Sequence, residues 1–246
     1  MPISTNSLIH FTSNKNNLKG IISHGFQVAN CREKIILGRK IYDLVIPMVS
    51  FCDIPLSEIK SHVENYGRYG IGLTKEWGKK NFLNPVLYMS SDSHLSSELS
   101  SILVNSVFGV AKKNSELNGD QKSLLNVVRF IKNYEESLTR KGITIDNYRF
   151  YDEREWRYVP KVGDLERMLV SFSSYEKNKD KINEPINNIR LNFSPKDIKY
   201  IIIDNDEEIS EFINHIREAT ADTCTMRDIE RLTTRIFTTE QIMTDI

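Results

Sequence analysis

The sequence predicts an α+β fold in one continuous domain, residues 1–246, and three observations carry that prediction. Short apolar runs of strand length interleave with segments whose apolar residues recur at i, i+3, i+4. No internal repeat is present, and no Gly/Ser-rich or Pro-rich linker divides the 246 residues. A content of 39% hydrophobic and 27% charged residues is ordinary for a chain that buries a core.

Leu8–Thr12 reads as a short apolar strand around His10, followed by a helix with Leu18, Ile21 and Ile22 on one face. Gly25 and Phe26 stand where a helix-ending glycine and its hydrophobic follower belong. Ile46–Asp53 is apolar on both alternating faces, as an interior strand requires, and Pro55 opens a helix bearing Ile59, Val63 and Tyr66. Tyr69–Thr74 is extended again. Its neighbourhood carries Gly67, Gly70 and Gly72, and strand glycines mark a bulge or the close approach of a backbone or ligand.

Val86–Met89 reads as the next strand. Two helical stripes follow, Leu95, Leu99, Ile102, Leu103 and Val107, then Leu124, Leu125, Val128, Ile131 and Leu138, joined at Asn118-Gly119-Asp120. They predict a helical hairpin inserted at 93–142 in a mostly β remainder. Tyr148–Val159 returns to strand, with Leu165–Phe172 as a neighbour, while Tyr175–Asn188 is a charged surface helix or loop. Lys199–Asp204 is a strand leading to a helix with Ile209, Phe212, Ile213 and Ile216 on one face and Asp206, Glu207 and Glu208 at its positive end. Met226–Leu232 is helical and Arg235–Thr238 extended.

Charge and cysteine usage exclude several classes of function. Thirty-three basic residues balance 33 acidic ones, so a polybasic nucleic-acid arm is excluded as the main binding device. No run approaches the ~18 apolar residues of a membrane span, and Met1–Asn6 lacks the cationic start of an export signal, which points to the cytoplasm and no membrane partner. Cys31, Cys52 and Cys224 contain no CxxC pair and read as reduced thiols. Alanine occurs at only four positions among abundant Ile and Asn, a bias of AT-rich bacterial codons.

The segment Tyr151-Asp-Glu-Arg-Glu-Trp-Arg-Tyr158 is the richest in chemistry. As a strand it would place Glu153, Glu155 and Arg157 on one face and Phe150, Trp156 and Tyr158 on the other, the aromatic face entering the core. Two carboxylates about 7 Å apart beside a guanidinium suit charge stabilisation or acid/base work. They equally suit a solvated strand face whose ion pairs are worth ~0–1 kcal/mol each. His10, a histidine in an apolar strand, is either a packed structural residue or a ligand-orienting one. Tyr66 and Tyr69 flank flexible backbone and could stack on a planar ligand or simply line a turn. The run Asn65–Gly72 is no phosphate loop, since it lacks the Walker A lysine and GxGxxG in a strand-to-helix setting. A basic cleft of Arg68, Lys75, Lys79 and Lys80 is a further binding candidate. HExxH, metal-spaced histidines and GxSxG are all missing, so no metal is expected.

The combination of LIHFT (Leu8–Thr12), VSFCDIPLS (Val49–Ser57), YGRYGIGLTKEWGKKN (Tyr66–Asn81), NPVLY (Asn84–Tyr88) and YDEREWRYVP (Tyr151–Pro160) resembles the AbiGi family of bacterial abortive-infection proteins. That resemblance implies a phage-defence antitoxin partnered with a cognate, nucleotidyltransferase-like toxin. The order of an early strand histidine, a Tyr/Gly-rich strand and a late E-x-E strand is also similar, more distantly, to ADP-ribosyltransferases, including the DarT-like enzymes that modify DNA. This second resemblance implies a mixed or antiparallel split sheet of that type, NAD as cofactor, and a nucleic-acid or protein acceptor. By the same resemblance Glu155 would be the catalytic carboxylate opposite a developing oxocarbenium, and Glu153 would orient the acceptor. His10 with Thr12 would hold the NAD ribose, Tyr66 or Tyr69 would stack on nicotinamide, and Arg157 would assist binding.

Overall fold

The computed structural model describes residues 4–108, 117–140, 142–161, 169–221 and 224–245. The chain is α+β and forms two compact units, one made of Met1–Gln27, Ser50–Leu83 and Arg190–Ile246, the other of Val28–Val49 and Asn84–Ile189.

The first unit is built on a sheet of mixed direction. Ile236–Thr238 runs parallel to Ile198–Ile203, which is antiparallel to Tyr69–Thr74, itself antiparallel to Ser7–Thr12. Cys52 stands opposite Ile9 beyond that strand. The helix Lys15–His24 starts where the Asn14 side chain accepts the Asn16 amide hydrogen at 2.8 Å and stops at Gly25, whose φ of 75° few other residues adopt. The predicted apolar stripe of Ile209–Thr220 buries Phe212 and Ile216. Ile9, Ile54, Ile59, Val63, Ile202 and Ile242 form one core cluster.

Gly72 shows what the glycines of this sheet are for. A Cβ placed there would stand 2.2 Å from the Tyr200 ring, so the close approach is by a side chain of the neighbouring strand. Tyr200 is held in turn by its hydroxyl, 2.8 Å from Ser7 Oγ. Gly67 ends the helix Lys60–Tyr66 at φ 123°, with the Ser13 backbone 2.3 Å from where a Cβ would lie. Gly72→Ala is therefore expected to destabilise the protein by about 1–3 kcal/mol, the range for overpacking, seen as a thermal midpoint lowered by roughly 2–12 °C. An unchanged midpoint would show that the Tyr200 ring yields freely.

The second unit contains a hairpin that sequence periodicity does not announce. Ala29–Leu37 pairs antiparallel with Lys40–Cys52 through Met48, turning at Gly38 with φ 61°. Val170–Ser171 pairs with Val45 and Leu44. Leu87–Met89 runs parallel to Ile131–Asn133, and the buried Asn133 side chain bonds both the N–H and the C=O of Ile36 at 2.7 and 2.8 Å. The core gathers Ile35, Leu37, Ile46, Met48, Leu103, Leu125 and Ile131.

Two expectations are corrected here. The second helix of the 93–142 hairpin runs only over Gly119–Val128, and Ile131–Asn133 and Glu136–Arg140 of that stretch are strand, with a further strand, Ile143–Tyr148, just beyond it. Ile131 and Leu138 fell on the helical stripe by spacing alone, and Ile131 is instead buried by strand pairing. The Asn118 turn is the cap of that helix, closed reciprocally with Gln121. Of the strand expected at Leu165–Phe172, residues 165–168 lie outside the described residues, and a helix Phe172–Lys177 begins where it was to end.

Candidate functional site

The E-x-E segment is not one continuous strand. Phe150–Glu153 is a 3-10 turn, Arg154 takes a left-handed backbone with φ 45°, and only Glu155–Tyr158 is strand, paired with Asn84–Pro85. The burial is the reverse of the expected one. Glu153, Glu155 and Arg157 are 4%, 6% and 0% exposed, whereas Phe150, Trp156 and Tyr158 are only partly buried. Charged groups enter a core only when paired, and these are.

Lys132, on the strand Ile131–Asn133, lies 3.1 Å from Glu153 and 2.8 Å from Glu155. Arg157 holds Glu155 through Nε at 2.6 Å and Nη2 at 3.2 Å, reaches Glu33 at 3.0 Å, and donates through Nη1 to the Arg129 carbonyl at 3.0 Å. Tyr148 donates to Glu153 Oε1 at 3.2 Å, and the Glu155 amide donates to the Tyr88 hydroxyl at 2.8 Å. Two cations and three carboxylates from four separate segments thus close into one network within the second unit.

Burial opposes ionisation of Glu155, but Arg157 and Lys132 overcome it and hold the carboxyl down at about 2. Burial likewise opposes the Lys132 charge, and Glu155, Glu33 and Glu153 raise its pKa well above the ordinary lysine value. Glu155 is therefore a permanent anion near neutrality, with both oxygens bonded inside the protein. That arrangement fixes strand and turn together; to act on a substrate, an oxygen of Glu155 would have to leave a cation.

The first unit holds the other residues that the sequence singled out. His10 packs against Phe26 and Phe51 with ring centroids 5.2 and 5.7 Å away, and its Nδ1 lies 2.8 Å from the Ser50 carbonyl. A carbonyl only accepts, so Nδ1 carries the proton and Nε2 is the acceptor nitrogen. Burial lowers the imidazole pKa, with the Ser50 bond opposing it. Thr12 Oγ1 accepts from the Asn17 side chain at 3.1 Å and supports the start of the first helix. The Tyr66 ring stacks on His62 at 5.7 Å. Tyr69 stacks on Phe212 and donates to Glu208 at 3.0 Å; burial, then Glu208, pushes its phenol up to about 12. Of the four cations suggested as a basic cleft, Lys75 bonds Asp53 at 2.6 Å and Arg68 pairs with Asp204.

His10, Thr12, Tyr66 and Tyr69 thus belong to one unit and Glu153, Glu155 and Arg157 to the other. Sequence reasoning missed Lys132, Glu33, Tyr148 and Tyr88, the partners that define what the Glu pair does. The available signal was a lysine between Ile131 and Asn133, an alternation that the helical spacing obscured. Among the described residues, no group of three or more His, Cys, Asp or Glu could hold a metal ion, and no helix is long and apolar enough to cross a membrane.

Comparison with known proteins gives two matches. Residues 24–204 match the family model described as "Putative abortive phage resistance protein AbiGi, antitoxin". The chain is 31% identical over 197 residues to the abortive phage resistance protein AbiGi of Lactococcus lactis subsp. cremoris, covering 70% of this chain and 77% of that protein. No solved structure matches.

Proposed function

Since this chain belongs to the AbiGi family, we propose that it serves abortive phage defence as a noncatalytic antitoxin, binding and restraining a cognate toxin protein. The observation that carries this reading is the closed network around Glu155, in which the carboxylate best suited to catalysis is buried and bonded to Arg157 and Lys132. A second reading, ADP-ribose transfer from NAD to a nucleic-acid or protein acceptor, finds support in His10, whose fixed tautomer offers Nε2 to a ribose hydroxyl. The other groups that would meet NAD fit it poorly. Arg157 is fully buried, Thr12 supports a helix, and the Tyr69 hydroxyl is committed to Glu208. NAD binding would require those groups to be released first.

The test pairs two assays on the purified full chain. We expect a stoichiometric complex with the protein encoded by the adjacent gene, and neither nicotinamide release nor label transfer when NAD is supplied with DNA, RNA or protein acceptors. Nicotinamide release that disappears in a folded Glu155→Gln variant would replace the antitoxin reading with the transferase one.

A further inference from the structure

Arg129 departs from the rule that a buried charge is paired. It stands at the end of the helix Gly119–Val128 and is 1% exposed, yet it takes part in no ion pair among the described residues. Its backbone is fixed, the amide bonded to the Leu125 carbonyl at 3.2 Å and the carbonyl accepting from Arg157 at 3.0 Å. In the side chain, Nη1 donates to Asn126 Oδ1 at 3.1 Å. Nε and Nη2 are buried and have no hydrogen-bond partner among the described residues. Burial lowers the pKa to about 10, so the guanidinium remains charged at neutral pH. Native proteins rarely leave such a group unmatched, because nothing then offsets its desolvation.

The two unpartnered donors form one edge of the guanidinium, and that edge is the one with which this protein holds carboxylates elsewhere. Arg157 grips Glu155 through Nε at 2.6 Å and Nη2 at 3.2 Å, and Arg32 grips Asp43 through the same two atoms at 2.8 and 2.7 Å. Arg129 presents the same fork, oriented by the Asn126 bond on its other side. Charge narrows the ligand further. One guanidinium balances one negative charge, and Lys132 and Arg157 of the same unit already face Glu33, Glu153 and Glu155. A dianionic phosphate would bring excess charge into the interior, whereas a monocarboxylate would not. We propose that Nε and Nη2 of Arg129 bind the carboxylate of a small monocarboxylic acid, enclosed within the second unit and admitted by local opening. Arg129 enters neither functional reading above, so this site stands or falls apart from both.

The test follows the thermal midpoint of the purified full chain at pH 7 and constant ionic strength, with chloride replaced by acetate, butyrate or phosphate. Wild type is expected to gain roughly 3–6 °C at ten times the dissociation constant of acetate or butyrate, and less with phosphate. Arg129→Lys keeps the charge without the fork and is expected to weaken carboxylate binding at least about tenfold. Arg129→Met should show no carboxylate-dependent gain. In chloride it loses the Asn126 bond and sheds an unmatched charge, so its midpoint is expected within about 4 °C of wild type or above it. No gain in wild type beyond that in chloride overturns the site, as does an equal gain in Arg129→Met, which would place the anion elsewhere. A gain with phosphate at least as large as with the carboxylates refutes the monocarboxylate. A fall of more than about 4 °C for Arg129→Met in chloride would make the guanidinium a structural partner, and undiminished binding by Arg129→Lys would remove the fork; either result refutes the proposal.

Discussion

Arg157→Met is expected to lower stability by about 3–5 kcal/mol, the cost of breaking a buried ion pair from one side. Methionine replaces the stem of the side chain but none of its donors. Glu155 would lose its bonds at 2.6 and 3.2 Å, Glu33 its bond at 3.0 Å, and the Arg129 carbonyl its donor. Lys132 alone would then face three carboxylates, in an interior where an uncompensated charge is poorly solvated. Glu155→Gln removes one charge from the centre of the same network, and the double variant measures the coupling. If the two residues act as a unit, the combined loss falls short of the sum by about 0.5–3 kcal/mol. Denaturant unfolding of the four proteins checks this, and additive losses would contradict the network. The measurement also bears on function, since a catalytic Glu155 should tolerate neutralisation with its fold intact, whereas a structural one should not.

Elements whose determinants are local were legible in the sequence. The first helix was readable because its apolar face and the Gly25 that ends it lie close together in the sequence, and Ile209–Thr220 because its stripe is long. The hairpin Ala29–Leu37 with Lys40–Cys52 was not, because Asn30, Arg32, Glu33 and Lys34 interrupt any apolar alternation and the pairing rests on the Gly38 turn. The charged strand was read with its faces reversed for a related reason. Charge indicates exposure unless a counter-charge is present, and here those that bury Glu155 include Lys132, 23 positions away, while Arg157 depends on Glu33, 124 positions away. The residue types of the site were visible; their partners, brought in by tertiary pairing, were not.

Acid is the second strong lever on the same network. Glu155 has a folded-state pKa of about 2 against an ordinary 4.5, so the unfolded chain takes up its proton first as pH falls. The stability it contributes is complete above about pH 4.5 and is lost on the way down to about 2. His10 adds an earlier loss, because its lowered pKa means that the unfolded chain protonates first below the ordinary 6.5. Glu211 is also depressed to about 2, by Lys19 first and then Lys15, but it lies at the surface and its share is screened by salt. In about 1 M salt the Glu211 contribution should vanish and that of Glu155 persist, since the buried pair is screened much less. Unfolding free energy measured from pH 7 to 2.5 in high salt is therefore expected to fall more steeply below pH 4.5 in wild type than in Glu155→Gln. Equal slopes would mean that Glu155 titrates as a solvated carboxylate, and would remove the physical ground for calling the E-x-E segment structural.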